Sequence, residues 1–400
     1  MSTAAVHRSN AAHLIEAVYD LGPTINAMRE EIERECRLPA QLVETLRKLG
    51  FFSLWLARDL GGPELSLTDF VRVIEALARY DGSVAWCVSN AAAYSRFSGF
   101  LAEPVARRMF VDDRVAVAGN MGPHGRAEVA KGGYRVTGRW AYGSGILHSD
   151  WVLGGCVVRD GDESRRGPGG KFETRIVFFP TREAEVIDTW NVGGLRGTGS
   201  HDYQVADLFV PETHASNYNT PLRSGPLYSL PHHTAFSVTI AAVPLGIARA
   251  ALDGVRDLST SKTPRIGSTL LRERPVVQGA MGRAEAMLGA ARAFLFEACD
   301  EAWGTVASGA ELTLEQRAKV RLSCAQVADI AKSVVRIAYD SGLRNLSFAA
   351  LLPRRTRRSS TRSGPERQFR DGWSCFARAG AWYTDFLMKV QRYQLPPVTA

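Results

Sequence analysis

The segment GRWAYGSGILHSDW, residues 138–151, is the most distinctive stretch of this sequence. Two segments of similar texture flank it along the chain, GNMGPHG at 119–125 and TWNVGGLRGTGSHD at 189–202. Each is rich in glycine, aromatic or hydroxyl side chains, and each taken alone is typical of a turn between strands. Their order along the chain carries more information about the fold than any one of them.

The three segments lie in a part of the chain that starts near Val111, where helical spacing of apolar residues gives way to short apolar runs. Short apolar runs separated by glycine and proline predict strands. These runs occupy residues 115–118, 134–136, 151–158, 176–179 and 205–210. We therefore predict a β-domain over residues 111–215, folded as a small barrel or sandwich.

Helical patterns occupy the chain on both sides of this region. Before it, apolar residues at helical spacing predict helices at 12–36, 39–49, 67–80 and 86–101. After it, four long helices are predicted, at 236–258, 276–301, 314–339 and 372–390, and four long helices indicate a bundle. The predicted fold class is α+β, with an N-terminal helical domain at 1–110, the β-domain, and a C-terminal four-helix bundle at 225–400.

The basic charge of the chain is concentrated in one place. The net charge is +8, and seven arginines lie between Arg354 and Arg370. Charges elsewhere nearly balance, which argues against a general nucleic-acid-binding face. The arginine-rich segment 353–364 is either an exposed loop or a docking surface for an anionic partner or a phosphate group.

Cysteine usage and the N-terminal sequence predict a location in the cytoplasm. The six cysteines are scattered and form no CxxC pair, which favours reduced thiols. The first thirty residues lack the apolar stretch of a signal peptide. No run of 18 apolar residues occurs, so we predict no membrane span.

Several common kinds of site are absent from the sequence. It has no GxGxxG, P-loop, HExxH or GxSxG motif, and no histidines and cysteines at zinc spacing. All eight histidines precede residue 234, so the long C-terminal helices cannot carry a Glu-x-x-His di-iron site. We therefore predict no metal centre.

In combination, the motifs resemble the acyl-CoA dehydrogenase superfamily, and more closely its branch of reduced-flavin-dependent hydroxylases. The pattern W-x-x-x-S-G-x-x-H-x-x-W stands at 140–151, and D-x-W-x-x-x-G-L-R-G-T-G-S stands at 188–200, followed by V-P at 210–211. DGSVAW at 81–86 and RQFRD at 367–371 also match. The resemblance covers nearly the whole chain and implies the three-part architecture predicted above, assembled as a homotetramer.

This resemblance implies the oxygenase component of a two-component flavin monooxygenase. Such a protein takes FMNH₂ or FADH₂ from a separate NAD(P)H-dependent reductase and reacts it with O₂. The resulting C4a-hydroperoxyflavin then hydroxylates a small aromatic or polycyclic substrate. The lack of a nicotinamide-binding motif in this chain suits an external reductase.

The requirements of a flavin ring suggest roles for individual residues. Trp140 offers a flat apolar wall, while Ser144 and Asn120 offer partners for N5 and the carbonyl edges. By resemblance, Ser144 matches the position that contacts N5, and we predict it to be catalytic together with His148. The predicted cofactor contacts are Asn120, Met121, Trp140, Tyr142, Ser144, Arg196, Gly197 and Thr198. The predicted substrate-side residues are Trp86, His124 and Arg378.

Each of these residues also has a structural interpretation. Trp140 is equally a core residue, Ser144 a turn serine between two glycines, and His148 a packed histidine. Residues 196–198 either hold phosphate or ring oxygens or form a tight turn between strands. Arg370 and Asp371 have the character of a structural ion pair.

Two departures from the family pattern bear on the reaction. Residues 341–365 contain no Asp or Glu, where common acyl-CoA dehydrogenases carry their base, which argues against standard acyl-CoA oxidation. Seven residues after Asp371 stands Arg378, where aromatic hydroxylases usually carry a histidine that acts on a phenol. A flavin dehydrogenase acting on an acyl thioester, and a scaffold that has lost catalysis, remain the alternative functions.

Overall fold

The computed structural model describes residues 3–217, 219–264 and 268–342. The chain begins with a helical part in which buried polar side chains set where helices start. The Asp81 carboxylate accepts the backbone N–H groups of Ser83 and Val84, at 2.8 and 2.9 Å. The helix predicted at 86–101 therefore begins earlier, at Gly82. The helices of this part are α1 (Thr3–Glu35), α2 (Ala40–Lys48), α3 (Leu67–Ala78), α4 (Gly82–Tyr94) and α5 (Glu103–Arg107).

Strands follow from Val117 and form one connected mixed sheet. The order of the strands is β6-β7-β2-β1-β3-β5-β8, with β4 paired to β3. Most neighbouring strands are antiparallel, whereas β1 and β3 are parallel. The strands are β1 (Val117–Ala130), β2 (Gly133–Gly143), β3 (Trp151–Asp160), β4 (Glu163–Ser164), β5 (Thr174–Pro180), β6 (Glu185–Ile187), β7 (His201–Pro211) and β8 (Ala215–Ser216).

The sheet curls around its own apolar core. In a flat sheet, β2 and β5 would lie about 14 Å apart, because two strands separate them. The rings of Trp140 on β2 and Phe179 on β5 nevertheless have centroids only 6.2 Å apart. The predicted β-domain is thus a single, strongly curved sheet of eight strands within the described residues, and its inner side chains form a separate core.

The chain returns to helix after the sheet, with α6 (Pro226–Ser229), α7 (His232–Ser261), α8 (Pro275–Ala307) and α9 (Leu314–Gly342). Helix α7 packs against α9 and also against α3 and α4 of the N-terminal part. These contacts join the first and last thirds of the chain in one hydrophobic core. The predicted fourth helix at 372–390 and the arginine-rich segment 353–364 lie outside the described residues.

Helix α7 is long and apolar enough to span a membrane, the one such helix within the described residues. Its most apolar stretch is 72% buried inside the protein. Contacts of two of its residues show how it is held. The carbonyl of Thr239 accepts the Ser89 hydroxyl of α4 at 2.9 Å, and Arg249 pairs with Glu285 of α8. Burial and contacts of this kind are those of a core helix.

The α+β fold class, with helices before and after a middle sheet, is confirmed. The strands lie where the short apolar runs predict them, although most extend further than the runs. Helix gives way to strand between Asp112 and Val117, and strand to helix between Ser216 and Pro226. The division into units at 1–110, 111–215 and 225–400 stays a prediction.

Close contact between α7 and α3 generates the first test. A Cβ atom on Gly246 would lie 2.2 Å from the Glu75 carbonyl oxygen and 2.6 Å from the Ala78 Cβ. We expect Gly246→Ala to lower the free energy of unfolding by about 2–3 kcal/mol, since the helices must separate. Denaturant unfolding followed by circular dichroism measures this change.

The control is Gly289→Ala on α8, where a Cβ atom meets nothing within 4 Å. Its expected effect is a gain of about 0.5–1 kcal/mol from reduced freedom of the unfolded chain. Equal effects of the two substitutions would contradict the described packing of α7 on α3.

Candidate active site

Two of the glycine-rich motifs meet where β2 ends and β7 begins. The register of the ladder between these strands shifts between Trp140 and Gly143, so regular pairing ends there. Just beyond, the backbone N–H of Gly145 donates to the carbonyl of Thr198 at 2.8 Å. The motifs at 138–151 and 189–202, which are separated in sequence, are therefore in contact in the fold.

Ser144 stands at this meeting point, half-buried, and its hydroxyl has two partners. The indole Nε1–H of Trp86 on α4 donates to it at 2.9 Å. The Ser200 hydroxyl lies 2.7 Å away on the other side, and Ser200 lies 2.7 Å from the Thr198 hydroxyl. Thr198 in turn donates to the carbonyl of Leu195 at 2.9 Å. Ser144 is thus one member of a line of hydrogen bonds, more than the turn serine that its flanking glycines suggest.

Tyr142 belongs to the same turn as Ser144, whose backbone N–H donates to the Tyr142 carbonyl at 2.8 Å. Its backbone φ of 64° is in the left-handed region, which is an outlier for an aromatic residue and is typical of functional sites. The side chain is 37% exposed and meets Trp190 edge-on, with ring centroids 6.5 Å apart. An exposed flat ring next to a hydroxyl is what an isoalloxazine needs for stacking and for a polar contact.

Trp140 has no such opening, and its assignment as the flavin wall is wrong. Its side chain is 0% exposed and stacks on Tyr203 with centroids 5.4 Å apart. Its indole N–H donates to the Gly155 carbonyl at 2.9 Å. The alternative interpretation, a core residue of the sheet, is the one that the structure supports.

Asn120 fixes the shape of the first motif. Its amide nitrogen donates to the Ala141 carbonyl at 2.9 Å, and its oxygen accepts the Gly122 N–H at 2.8 Å. These bonds hold an irregular part of β1, where pairing with β3 shifts register, against the end of β2. Met121 is half-buried there and packs on the core shared by the helices. Asn120 therefore holds the backbone next to Tyr142, and a direct flavin contact stays a prediction for both residues.

His124 is exposed at the same corner of β1. A Cβ atom added to Gly122 would lie 2.5 Å from His124 Nε2 and 3.0 Å from Asn120 Oδ1, so the imidazole lies over this glycine. His124 and Asn120 are thus brought together. Its predicted place on the substrate side remains a prediction.

Arg196 has a different role from the predicted one. Its nitrogens donate to the carbonyls of Glu33 and Val192, at 3.0 and 3.3 Å, and to the Cys36 thiol at 3.1 Å. The side chain therefore ties the end of α1 to the third motif. All three of its nitrogens are engaged within the protein, so the assignment to flavin phosphate or ring oxygens is corrected.

The other two members of this turn also face the protein. A Cβ atom on Gly197 would lie 2.1 Å from the Ile32 side chain of α1, so glycine is required for packing. The Thr198 side chain is 1% exposed. Gly197 therefore allows close packing on α1, and the Thr198 hydroxyl bonds within the protein. Cofactor contact through the backbone N–H groups of this turn stays a prediction.

His148 ends the short turn after Ser144 and packs on the N-terminal helical part. Its ring stacks on Phe52 with centroids 6.3 Å apart. Burial, together with the nearby Arg47 guanidinium and opposed in part by Asp150, lowers the pKa of His148 to about 4. The imidazole is therefore neutral at pH 7. Its predicted catalytic role stays a prediction, beside a packing role that these contacts support.

Sequence reasoning missed two residues of this site. Ser200 is 2% exposed and links Ser144 to Thr198. Tyr203 donates its hydroxyl to the Leu153 carbonyl and accepts the Asn120 N–H. Ser200 ends the GTGS motif and could have been found there, whereas nothing local marks Tyr203. Trp86 is a hydrogen-bond partner of Ser144, and its predicted place on the substrate side stays a prediction. Arg378, Arg370 and Asp371 lie outside the described residues.

A cavity of about 320 Å³ lies elsewhere, between α1, α2 and the segment around residue 111. Arg47, Lys48 and Arg114 contribute to its lining. No residue of the three motifs lines it, so it is separate from the site around Ser144.

Comparisons with known proteins agree with this geometry. The family models for the N-terminal and C-terminal domains of acyl-CoA dehydrogenase match residues 22–97 and 238–361. The chain is 30% identical to indole-3-acetate monooxygenase of Pseudomonas putida, over 81% of each protein. It is 27% identical to the flavin-dependent monooxygenase oxygenase subunit HsaA of Mycobacterium tuberculosis, over 83% of this chain and 85% of the relative. XiaF from a Streptomyces species, solved with FADH₂ and glycerol, superposes with a TM-score of 0.81 at 23% identity, covering both chains fully.

The family models and these relatives define a flavin-dependent oxidoreductase. More particularly, the chain belongs to the acyl-CoA dehydrogenase family, and its relatives lie in the branch of flavin-dependent monooxygenases. The resemblance inferred from the sequence is confirmed.

The contacts of Arg196 predict a loss of stability without a loss of flavin affinity. Arg196→Met removes the bonds to Glu33, Val192 and Cys36, and we expect a drop of about 1–2 kcal/mol in the free energy of unfolding. The matched control, Arg34→Met, changes an exposed arginine whose one ion pair among the described residues is with Glu35, and the expected change is within about 0.5 kcal/mol. Weaker flavin binding at unchanged stability would instead support a phosphate contact.

The lowered pKa of His148 predicts how stability responds to acid. Above the ordinary histidine pKa of 6.5, the imidazole of His148 is neutral in the folded and in the unfolded protein. It then contributes no pH dependence to stability. Between pH 6.5 and about 4, the unfolded chain binds a proton that the folded one does not, so stability falls as pH falls. We expect His148→Gln to remove up to about 1.4 kcal/mol per pH unit of this slope. The exposed His13→Gln serves as control, and identical slopes in both variants would refute the burial of His148.

Proposed function

We propose that the chain is the oxygenase component of a two-component system. It takes FMNH₂ or FADH₂ from a separate NAD(P)H-dependent reductase and uses O₂ to hydroxylate a small aromatic or polycyclic molecule. The printed names of its relatives support this: one is an oxygenase subunit, one acts on indole-3-acetate, and one structure contains FADH₂. We also propose a homotetramer located in the cytoplasm.

One observation carries the proposal. Ser144 is half-buried at the end of β2, held by Trp86 and Ser200, next to the exposed ring of Tyr142. A hydroxyl in that position suits the N5 edge of a flavin whose ring lies on Tyr142. These residues fit the cofactor better than Trp140, which the sequence alone favoured.

Bound reduced flavin supplies the activation of O₂. The task of the chain is then to orient the ring and to keep water away from the reacting edge. Ser144 would accept a hydrogen bond from the ring edge, and Trp86 holds the serine oxygen in place through its own hydrogen bond. Trp86 is 3% exposed, so this side of the serine is dry.

An aromatic substrate is favoured by the wall opposite the β-domain. On α4, Trp86 donates a hydrogen bond to Ser144, and Tyr94 donates one to the Gly119 carbonyl. These two residues lie two turns apart on one face of α4, and that face contacts the motifs. Phe236 of α7 lies beside Tyr94, with ring centroids 5.6 Å apart. Trp86 and Tyr94 are buried, whereas Phe236 is half-buried, so Phe236 is the member of this group open to an aromatic molecule.

The dehydrogenase and scaffold alternatives have less support. The named relatives above are monooxygenases, and residues 341–365 lack an acidic base. The missing phenol-directed histidine, replaced in sequence by Arg378, leaves nitrogen or sulfur oxidation as a second outcome of a substrate search.

The direct test is a single turnover. The protein is mixed anaerobically with FMNH₂ or FADH₂, oxygen is added, and flavin reoxidation is followed by absorbance. We expect slower reoxidation than for free flavin, and incorporation of one atom of ¹⁸O₂ into an indole or phenol product. Reoxidation as fast as free flavin with both cofactors would reject the proposal.

Ser144→Ala tests whether the Ser144 hydroxyl contributes to flavin binding and to the reaction. We expect reduced-flavin affinity or product yield to fall about tenfold, with a matching rise in hydrogen peroxide, because one hydrogen bond to the ring is lost. Ser149→Ala is the control, since that serine lies on the same turn as Ser144 but bonds the Ile146 carbonyl and the Thr181 hydroxyl. Equal yields in the two variants would remove Ser144 from the mechanism.

A further inference from the structure

The hydroxyl groups of Ser144, Ser200 and Thr198 form a line of hydrogen bonds. The line ends at the Leu195 carbonyl, which can only accept a hydrogen bond. The Leu195 carbonyl has no proton, so Thr198 must donate to it. Thr198 has then used its single proton, and Ser200 must donate to Thr198. By the same step, Ser144 must donate to Ser200. The direction of every bond follows from the carbonyl at the end.

The other neighbour of Ser144 can only donate. The indole nitrogen of Trp86 carries a proton and has no lone pair for a hydrogen bond, so Ser144 accepts from it. A serine hydroxyl offers one proton and two lone pairs. The proton is used by Ser200 and one lone pair by Trp86, which leaves a single accepting position on Ser144.

Burial keeps this arrangement in one direction. Thr198, Ser200 and Trp86 are 1%, 2% and 3% exposed. Water therefore does not offer replacement partners, and reversing the line would give up the bond from Thr198 to Leu195. In a dry environment an unmade hydrogen bond is costly.

Reduced and oxidised flavins differ at the atom that Ser144 would meet. Reduced flavin carries a proton on N5 and donates, whereas oxidised flavin has a lone pair on N5 and accepts. A serine with only an accepting position left matches the first and mismatches the second. We infer that Thr198 and Ser200, with Trp86, orient the Ser144 hydroxyl so that the site selects reduced over oxidised flavin.

This inference rests on the proposed function and assigns the two buried hydroxyls as positioning residues. They act through Ser144 and do not touch the ring. In a two-component system this selectivity would admit the reductase product and release the spent cofactor. The property to measure is the ratio of the two flavin affinities.

The test compares Thr198→Val with Thr198→Ser, using FMN and FAD in both redox states under anaerobic conditions. Valine keeps the shape of threonine but lacks the hydroxyl, so Ser200 can turn to donate to Ser144, and Ser144 can donate to oxidised N5. We expect the preference for reduced flavin to fall about tenfold. The midpoint potential of the bound flavin should fall by about 30 mV, the equivalent for a two-electron couple. Thr198→Ser retains the hydroxyl and should retain the wild-type ratio and potential.

Ser200→Ala provides a second route to the same result, should the valine variant fail to fold. It removes the acceptor of the Ser144 proton, and the ratio should again fall. An unchanged ratio in a folded Thr198→Val or Ser200→Ala protein that still binds reduced flavin would overturn the inference and leave the proposed function standing. An equal shift in Thr198→Ser and Thr198→Val would also overturn it, because side-chain shape would then be the cause. If the wild-type protein binds neither redox state, the proposed function itself fails.

Discussion

The hydrogen bond from the Gly145 N–H to the Thr198 carbonyl joins the two loops that form the candidate active site. It forms because β2 and β7 pair along most of their length and lose regular register at the same end. Ser144 then comes within reach of Ser200, which belongs to a loop more than fifty residues later. Without this junction the serine hydroxyl would have only solvent and Trp86 as partners.

Local patterns were sufficient to predict the elements that carry this junction. Runs such as 151–158 and 205–210 mark strands through their own composition, and Ser144 was identified from its motif. The alternation of side chains along a strand did not predict which aromatic residue of β2 is exposed. It puts Trp140 and Tyr142 on the same face, but the left-handed backbone of Tyr142 breaks the alternation. One aromatic ring is consequently buried in the sheet while the other is exposed.

Partners distant in sequence account for the remaining errors. Arg196 suggests an anion site when only its glycine-rich surroundings are known. In the fold, its nitrogens meet Glu33 and Cys36, about 160 residues earlier, at the end of α1. No periodicity reports which helix end will reach a given loop, because that depends on how whole elements pack. The same holds for Tyr203, whose hydroxyl bridges β1 and β3.

The N-terminal helices therefore do more than cover the curved sheet. Trp86 on α4 supplies one end of the polar line through Ser144, while Leu195 of the β-domain supplies the other. Asp81 fixes the start of α4, and Ser89 ties the same helix to α7. The direction of the Ser144 hydroxyl thus requires helix and sheet to be docked together. Packing between the parts of the chain and selection of the cofactor are consequences of one arrangement.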